Sequence, residues 1–233
     1  GITAAGIDSI PIVSALGSIH QGGFSTGSWV NGWTNSAGYM KVSMDGERLA
    51  LAIYRADVVE VFDFNKITGV ISNCISSGPV FPNVYGVEFS PNQSKLYITQ
   101  PDEGLLRQID LSLPNPFLNS VVIAEITQAS ALQLAPNGKI YLSKKLSEFL
   151  GAIEIPNNSG TSCNYIHESI YLEGKVCKRG LPCIFINEHF QFFTASYAEI
   201  SICSGDSIFL EGTYQNIWLE GPAIRTYSGH CNV

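Results

Sequence analysis

The sequence predicts an all-β protein made of β-propeller blades, and three observations carry that expectation. A short phrase occurs three times, as Val42-Ser43-Met44-Asp45-Gly46-Glu47-Arg48-Leu49, as Phe89-Ser90-Pro91-Asn92-Gln93-Ser94-Lys95-Leu96 and as Leu134-Ala135-Pro136-Asn137-Gly138-Lys139-Ile140. The copies are spaced like blades: Ser43 to Ser90 is 47 residues and Ser90 to Ala135 is 45, in the range of one four-stranded blade per repeat. Alternating runs broken by turn residues follow each copy, and no stretch holds the 3.6-residue apolar stripe of an amphipathic helix. A meander sandwich with chance similarity between its turns is the alternative architecture.

Within each repeat the strands follow from turn chemistry. Asp45-Gly46 and Asn137-Gly138 tolerate the positive φ of a tight hairpin, and Asn92-Gln93-Ser94 takes their place in the second copy. In the first repeat the expected strands are 39–43, 48–53, 58–64 and 70–72, with 65–69 as the turn before the outermost strand. Val59, Val61 and Asp63 alternate with Glu60, Phe62 and Phe64, which suits a sheet covered on both faces. In the second repeat the strands are 86–90, 95–99, 105–111 and 121–126. In the third they are 131–135, 139–143 and 152–155, after which the pattern loosens. A partial blade at 1–33 thus precedes blades at about 34–78, 79–126 and 127–190, and a C-terminal β segment covers 191–233.

Charge and hydropathy narrow the partners. Only 14% of residues are charged and the net charge is −7, so a phosphate backbone would be repelled and nucleic acid is excluded as a partner. The apolar run 10–16 is too short to cross a bilayer and lacks a basic flank, so no transmembrane segment is predicted. The six cysteines, Cys74, Cys163, Cys177, Cys183, Cys203 and Cys231, form an even set without a CxxC pair. Six cysteines allow about 15 pairings. Cys203 with Cys231 and Cys177 with Cys183 are the expected disulfides, because each couple sits inside one local element, leaving Cys74 and Cys163. Oxidised cysteines would imply an exported protein. A zinc site of Cys163, His167, Cys177 and Cys183 is the alternative, at spacings that match no common zinc module.

Four phrases, Gly38-Tyr39-Met40-Lys41-Val42-Ser43-Met44-Asp45-Gly46, Val61-Phe62-Asp63-Phe64-Asn65-Lys66-Ile67-Thr68-Gly69, Tyr85-Gly86-Val87-Glu88-Phe89-Ser90-Pro91 and Leu132-Gln133-Leu134-Ala135-Pro136-Asn137-Gly138-Lys139-Ile140-Tyr141, resemble the propeller region of large secreted Bacteroidetes proteins associated with gliding motility and type IX secretion. The similarity extends over about residues 1–190. Two departures stand out: Met44 occupies a position where Pro is usual, and Cys183-Ile184-Phe185 follows Gly180-Leu181-Pro182 where the family has Asn-Phe. The resemblance implies WD40/YVTN-like blades. Three blades fall short of the number that closes a propeller, so the chain is expected to be the C-terminal half of one, paired with an upstream half or another chain along its open strand edges. The run 199–210, with Tyr227-Ser228-Gly229-His230-Cys231, resembles the opening of the immunoglobulin-like or PKD-like repeats that follow such propellers. The alternative is a closing strand plus a tail.

Catalytic signals are thin. Gly23-Phe24-Ser25-Thr26-Gly27 fits the GxSxG pattern, but that motif works only on a turn between a strand and a helix. Ser28-Trp29-Val30-Asn31-Gly32-Trp33 is a poor helix start, so a polar loop is expected. Asp45, Glu47, Asp102 and Glu103 are turn carboxylates without the spacing of a calcium loop; calcium between blades is the one cofactor considered. Trp29, Trp33 and Tyr85 are the candidate ligand-face aromatics, since a ring offers an apolar face to sugar C–H groups, and packing between blades is their alternative role. The inner strands read as apolar or small, without convergent acids, so no catalytic residues are assigned. The expected function is a non-enzymatic binding or scaffold module, secreted or on the cell surface, holding a protein or glycan in adhesion or gliding motility. The alternatives are a propeller-type hydrolase or lyase of extracellular polysaccharide, or a structural spacer.

Overall fold

Each copy of the recurring phrase folds as the tight turn between the first two strands of a four-stranded antiparallel sheet. The computed structural model describes residues 11–20 and 37–182, together with the backbone of four short strands, β1 (Ile2–Thr3), β2 (Gly6–Ile7), β3 (Gly23–Ser25) and β4 (Ser28–Val30). The chain divides into two compact units, 1–192 and 193–233, and the second lies outside the described residues.

The first blade comprises β5 (Met40–Val42), β6 (Arg48–Ile53), β7 (Val58–Phe64) and β8 (Ile71–Ser76). The second comprises β9 (Val87–Phe89), β10 (Lys95–Gln100), β11 (Leu105–Asp110) and β12 (Val121–Glu125). The third comprises β13 (Ala129–Leu134), β14 (Ile140–Lys144), β15 (Phe149–Ile153) and β16 (Tyr165–Tyr171). Each sheet is a simple meander in sequence order. The fourth strand of blade three, absent from the sequence-based expectation, starts only after a 3-10 turn at Gly160–Cys163. Its side chains are mostly exposed or half-buried, so its pattern carries no clear apolar face.

The turn of the phrase is the same in all three blades. Gly46, Gln93 and Gly138 sit at φ of 74°, 56° and 77°, and their amides donate to the carbonyls of Ser43, Ser90 and Ala135 at 2.8–2.9 Å. The Ser43 hydroxyl donates to Asp45 Oδ1 at 2.5 Å, and the Ser90 hydroxyl donates to Asn92 Oδ1 at 2.9 Å. Gln93 thus takes the left-handed place that glycine holds in the other copies, where the side chain costs more.

Apolar layers form between neighbouring sheets. Ala50, Val59 and Val61 of blade one meet Val87, Leu96, Ile98 and Ile109 of blade two in one buried cluster. Tyr97 and Leu106 of blade two join Leu132, Leu142 and Ile153 of blade three in the next. Face-to-face packing of successive sheets is propeller architecture. Strands β5, β9 and β13 form the inner edge, whereas the outermost strands β8, β12 and β16 are mostly exposed or half-buried. We term the end bearing the β6–β7 and β10–β11 turns the upper face, and the end bearing the recurring phrase the lower face.

Candidate functional site

The inner edge holds the clearest departure from the sequence-based expectation. Counting back two residues from Ser43, Ser90 and Ala135 gives Lys41, Glu88 and Gln133, one polar side chain at the same register position in each blade. All three are buried. Lys41 Nζ lies 2.9 Å from Glu88 Oε2 and donates to Gln133 Oε1 at 2.6 Å, so one ammonium joins three blades. Glu88 Oε2 also accepts from the Leu134 amide at 2.9 Å, and Oε1 accepts from the Phe89 amide at 3.1 Å. Burial pushes the Glu88 carboxyl above the usual carboxylate range, and the Lys41 charge and these hydrogen bonds offset only part of that shift. The inner strands therefore carry convergent polar groups.

Above this cluster lie three tyrosines in edge-on contact. Tyr39 and Tyr85, just ahead of β5 and β9, have ring centroids 5.4 Å apart at 78°; Tyr85 and Tyr54, from the β6–β7 turn, are 6.2 Å apart at 85°. The Lys41 ammonium stands 5.7 Å from the Tyr39 ring, and the Tyr39 hydroxyl accepts from the Leu181 amide at 3.3 Å. Aromatic contacts thus run continuously from the buried ion pair to the upper surface.

At that surface the Tyr54 hydroxyl donates to Asp102 Oδ2, on the exposed β10–β11 turn. The Arg55 guanidinium lies 5.2 Å from the Tyr54 ring centroid and donates to Asn83 Oδ1 at 3.2 Å. The Asn83 backbone N–H donates to Asp57 Oδ1 at 2.8 Å, and its side-chain Nδ2 donates to Glu103 Oε1 at 3.4 Å. Burial first, then the hydrogen bond and negative charge of Asp102, push the Tyr54 phenol up, while Arg55 and Arg179 pull it down. A phenol, a carboxylate and the Arg55 guanidinium therefore meet on one exposed patch, within the field of Arg179. Tyr54 and Asp102 sit in equivalent turns of successive blades, which is the signal that the sequence contained for them.

Tyr85, a predicted ligand-face aromatic, belongs to this cluster. Trp29 lies in β4, with only its backbone described, and Trp33 lies outside the described residues. The Gly23–Ser25 and Ser28–Val30 strands pair antiparallel, Phe24 opposite Trp29, so a strand begins at Ser28 where a nucleophile elbow would start its helix. Asp63, Glu88 and His167 stand apart, on the lower face, the inner edge and the outermost strand of blade three. The His167 ring is 6.2 Å from that of Tyr165, and burial with the Lys144 charge lowers its pKa. Cys74, Cys163 and Cys177 form no disulfide with one another; Cys183, Cys203 and Cys231 lie outside the described residues. No group of three His, Cys, Asp or Glu side chains that could hold a metal occurs among the described residues, so the four-ligand zinc alternative is not assembled there. Nor does any helix among them have the length and apolarity to cross a membrane.

No protein-family model and no curated protein matches this sequence. Among solved structures it is similar to a hydrazine synthase from Kuenenia stuttgartiensis, with a TM-score of 0.41 and 15% identity over 56% of this chain and 36% of that one. A candidate 6-phosphogluconolactonase from Bacteroides uniformis aligns with a TM-score of 0.41 and 17% identity over 60% of this chain and 43% of that one. A periplasmic gluconolactonase from Pseudomonas aeruginosa gives 0.37 and 13% over 51% and 35%. The chain spans well under half the length of each. The three four-stranded meanders packed face to face are what make this an all-β fold of the β-propeller class. The neighbours are enzymes by name, contrary to the expectation of a non-enzymatic module; that expectation rested on apolar or small inner strands, whereas Lys41, Glu88 and Gln133 line the inner edge.

Proposed function

We propose that this propeller is a hydrolase acting on a sugar-derived substrate at its upper face. The observation that carries the reading is the Tyr54–Asp102 hydrogen bond, flanked by Arg55 and within the field of Arg179. An exposed carboxylate oriented by a phenol's hydrogen bond is placed to take a proton from water or a substrate hydroxyl. The guanidiniums oppose the negative charge that builds on the reacting oxygen. Tyr85 and Tyr39 offer aromatic surface to a sugar ring alongside, and the buried Lys41–Glu88–Gln133 cluster fixes the inner edge beneath them. An extracellular polysaccharide, or a lactone derived from one, is the substrate class proposed. An extracellular setting and WD40/YVTN-type blades are part of this reading, supported by the repeat phrases and the period of 47 and 45 residues.

The test is turnover by the full chain on a panel of sugar lactones, esters and polysaccharides, with wild type and Asp102→Asn side by side. The proposal expects at least one substrate to be cleaved, with a loss of about 10²–10⁴ in kcat for Asp102→Asn at unchanged Tm. Cleavage that Asp102→Asn leaves intact, or a panel with no turnover at all, counts against it.

A further inference from the structure

The lower face carries a second feature, on the opposite side of the sheets from the tyrosines. In blades two and three the lower ends of the second and third strands are closed by an ion pair, Lys95 with Asp110 at 2.5 Å and Lys139 with Glu154 at 2.5 Å. The corresponding residues of blade one are Arg48 and Asp63, direct partners in the β6–β7 register. They form no ion pair among the described residues. The Arg48 guanidinium instead reaches the Gln93 carbonyl of blade two at 3.4 Å, and Asp63 Oδ2 accepts from Asn73 at 2.8 Å. Both side chains line a groove of about 740 Å³ between the two blades.

We propose that this groove is a binding site for an acidic sugar, a hexuronate unit of an oligosaccharide. A ligand that completes the opened pair must offer an acceptor to Arg48 and, beside it, a donor to Asp63. A uronate supplies both, its carboxylate meeting the guanidinium fork and its ring hydroxyls meeting the aspartate. Lys66 is a second cation of the lining, opposed by the Asp45 and Glu47 carboxylates; Ser72 and Asn92 also line the groove, and the Ser94 and Ser112 hydroxyls, which already donate to Asn92 Oδ1 and Asp110 Oδ1, are left to accept. Phe64 and Leu111 add apolar surface for the C–H face of the ring. The volume lies within the range of small-ligand sites, roughly 300–1,000 Å³. The site is separate from the upper-face patch and does not depend on its chemistry.

Calorimetric titration of the full chain with digalacturonate, against lactose as a neutral disaccharide, tests the assignment. Wild type should bind digalacturonate at least tenfold more tightly than lactose. Arg48→Ala should weaken binding roughly 10- to 100-fold, the loss of a charge-assisted hydrogen bond, and Asp63→Asn should weaken it less, which also covers the case in which Arg48→Ala fails to fold. Asp102→Asn should bind as wild type does. Equal affinity for the two disaccharides, undiminished binding by Arg48→Ala and Asp63→Asn, loss of binding in Asp102→Asn, or no binding by wild type at millimolar concentrations each overturns the site.

Discussion

Replacing Glu88 by Ala should be the most damaging single change at the inner edge. The mutation leaves the Lys41 ammonium buried and bonded to Gln133 Oε1 without its carboxylate, and strips the Leu134 amide of its partner. Breaking a buried ion pair by removing one member costs about 3–5 kcal/mol, because the other charge stays desolvated. For a chain of this size that corresponds to a fall in Tm of roughly 6–20 °C, at about 2–4 °C per kcal/mol. Thermal unfolding followed by circular dichroism reads the change. Adding Lys41→Met to Glu88→Ala removes the stranded charge, so the double variant should be more stable than Glu88→Ala alone, a coupling that only interacting residues show. A Glu88→Ala loss below about 1 kcal/mol, or a double variant no more stable than the single, would refute the view that one ammonium ties three blades together.

Two titrations act in opposite directions on stability. The folded-state pKa of Glu88 is raised, so the folded chain holds that proton more tightly than the unfolded chain; its contribution is fully present at low pH and is lost as pH rises from the ordinary carboxylate value through the raised one. In denaturant titrations Glu88→Gln should lack this loss. Asp110 is lowered, chiefly by its hydrogen bond from Lys95 and then by Ser112, so its stabilisation exists above the ordinary carboxylate value and disappears as pH falls through the folded one; Asp110→Asn should therefore differ from wild type at neutral pH and converge with it in acid. At Gly86 an added Cβ would meet the Ser130 carbonyl and come within 2.7 Å of Thr99 Oγ1, so Gly86→Ala should cost about 1–3 kcal/mol of stability in urea unfolding.

Strands β6 and β7 were legible to the residue, because Arg48–Ile53 and Val58–Phe64 are long, mostly apolar and bounded by turn residues. The fourth strand of blade three was hidden by its position after a 3-10 turn and by the mixed burial of Tyr165–Tyr171. The inner-edge cluster was present in the alignment of the three phrases, as Lys41, Glu88 and Gln133 at one register position. What the sequence could not show was that three inner strands approach closely enough for a single ammonium to bond across them, because that distance is set by packing between sheets. The Tyr54–Asp102 pair was hidden for the same reason, since its members are 48 residues apart in the chain. Tyr85 is expected as a ligand-face aromatic or as packing between blades; its ring contacts with Tyr39 and Tyr54 depend on adjacent blades.

The most direct test of the upper-face site is a double-mutant comparison of Tyr54→Phe, Asp102→Asn and the two combined, on whichever substrate the wild type cleaves. Hydrogen-bonded groups that act as one unit lose their effect together. The account predicts that the combined variant is no slower than the slower of the two single variants, with both singles well below wild type in kcat/KM. Losses that multiply fully in the double variant, or single variants as fast as wild type, would contradict it.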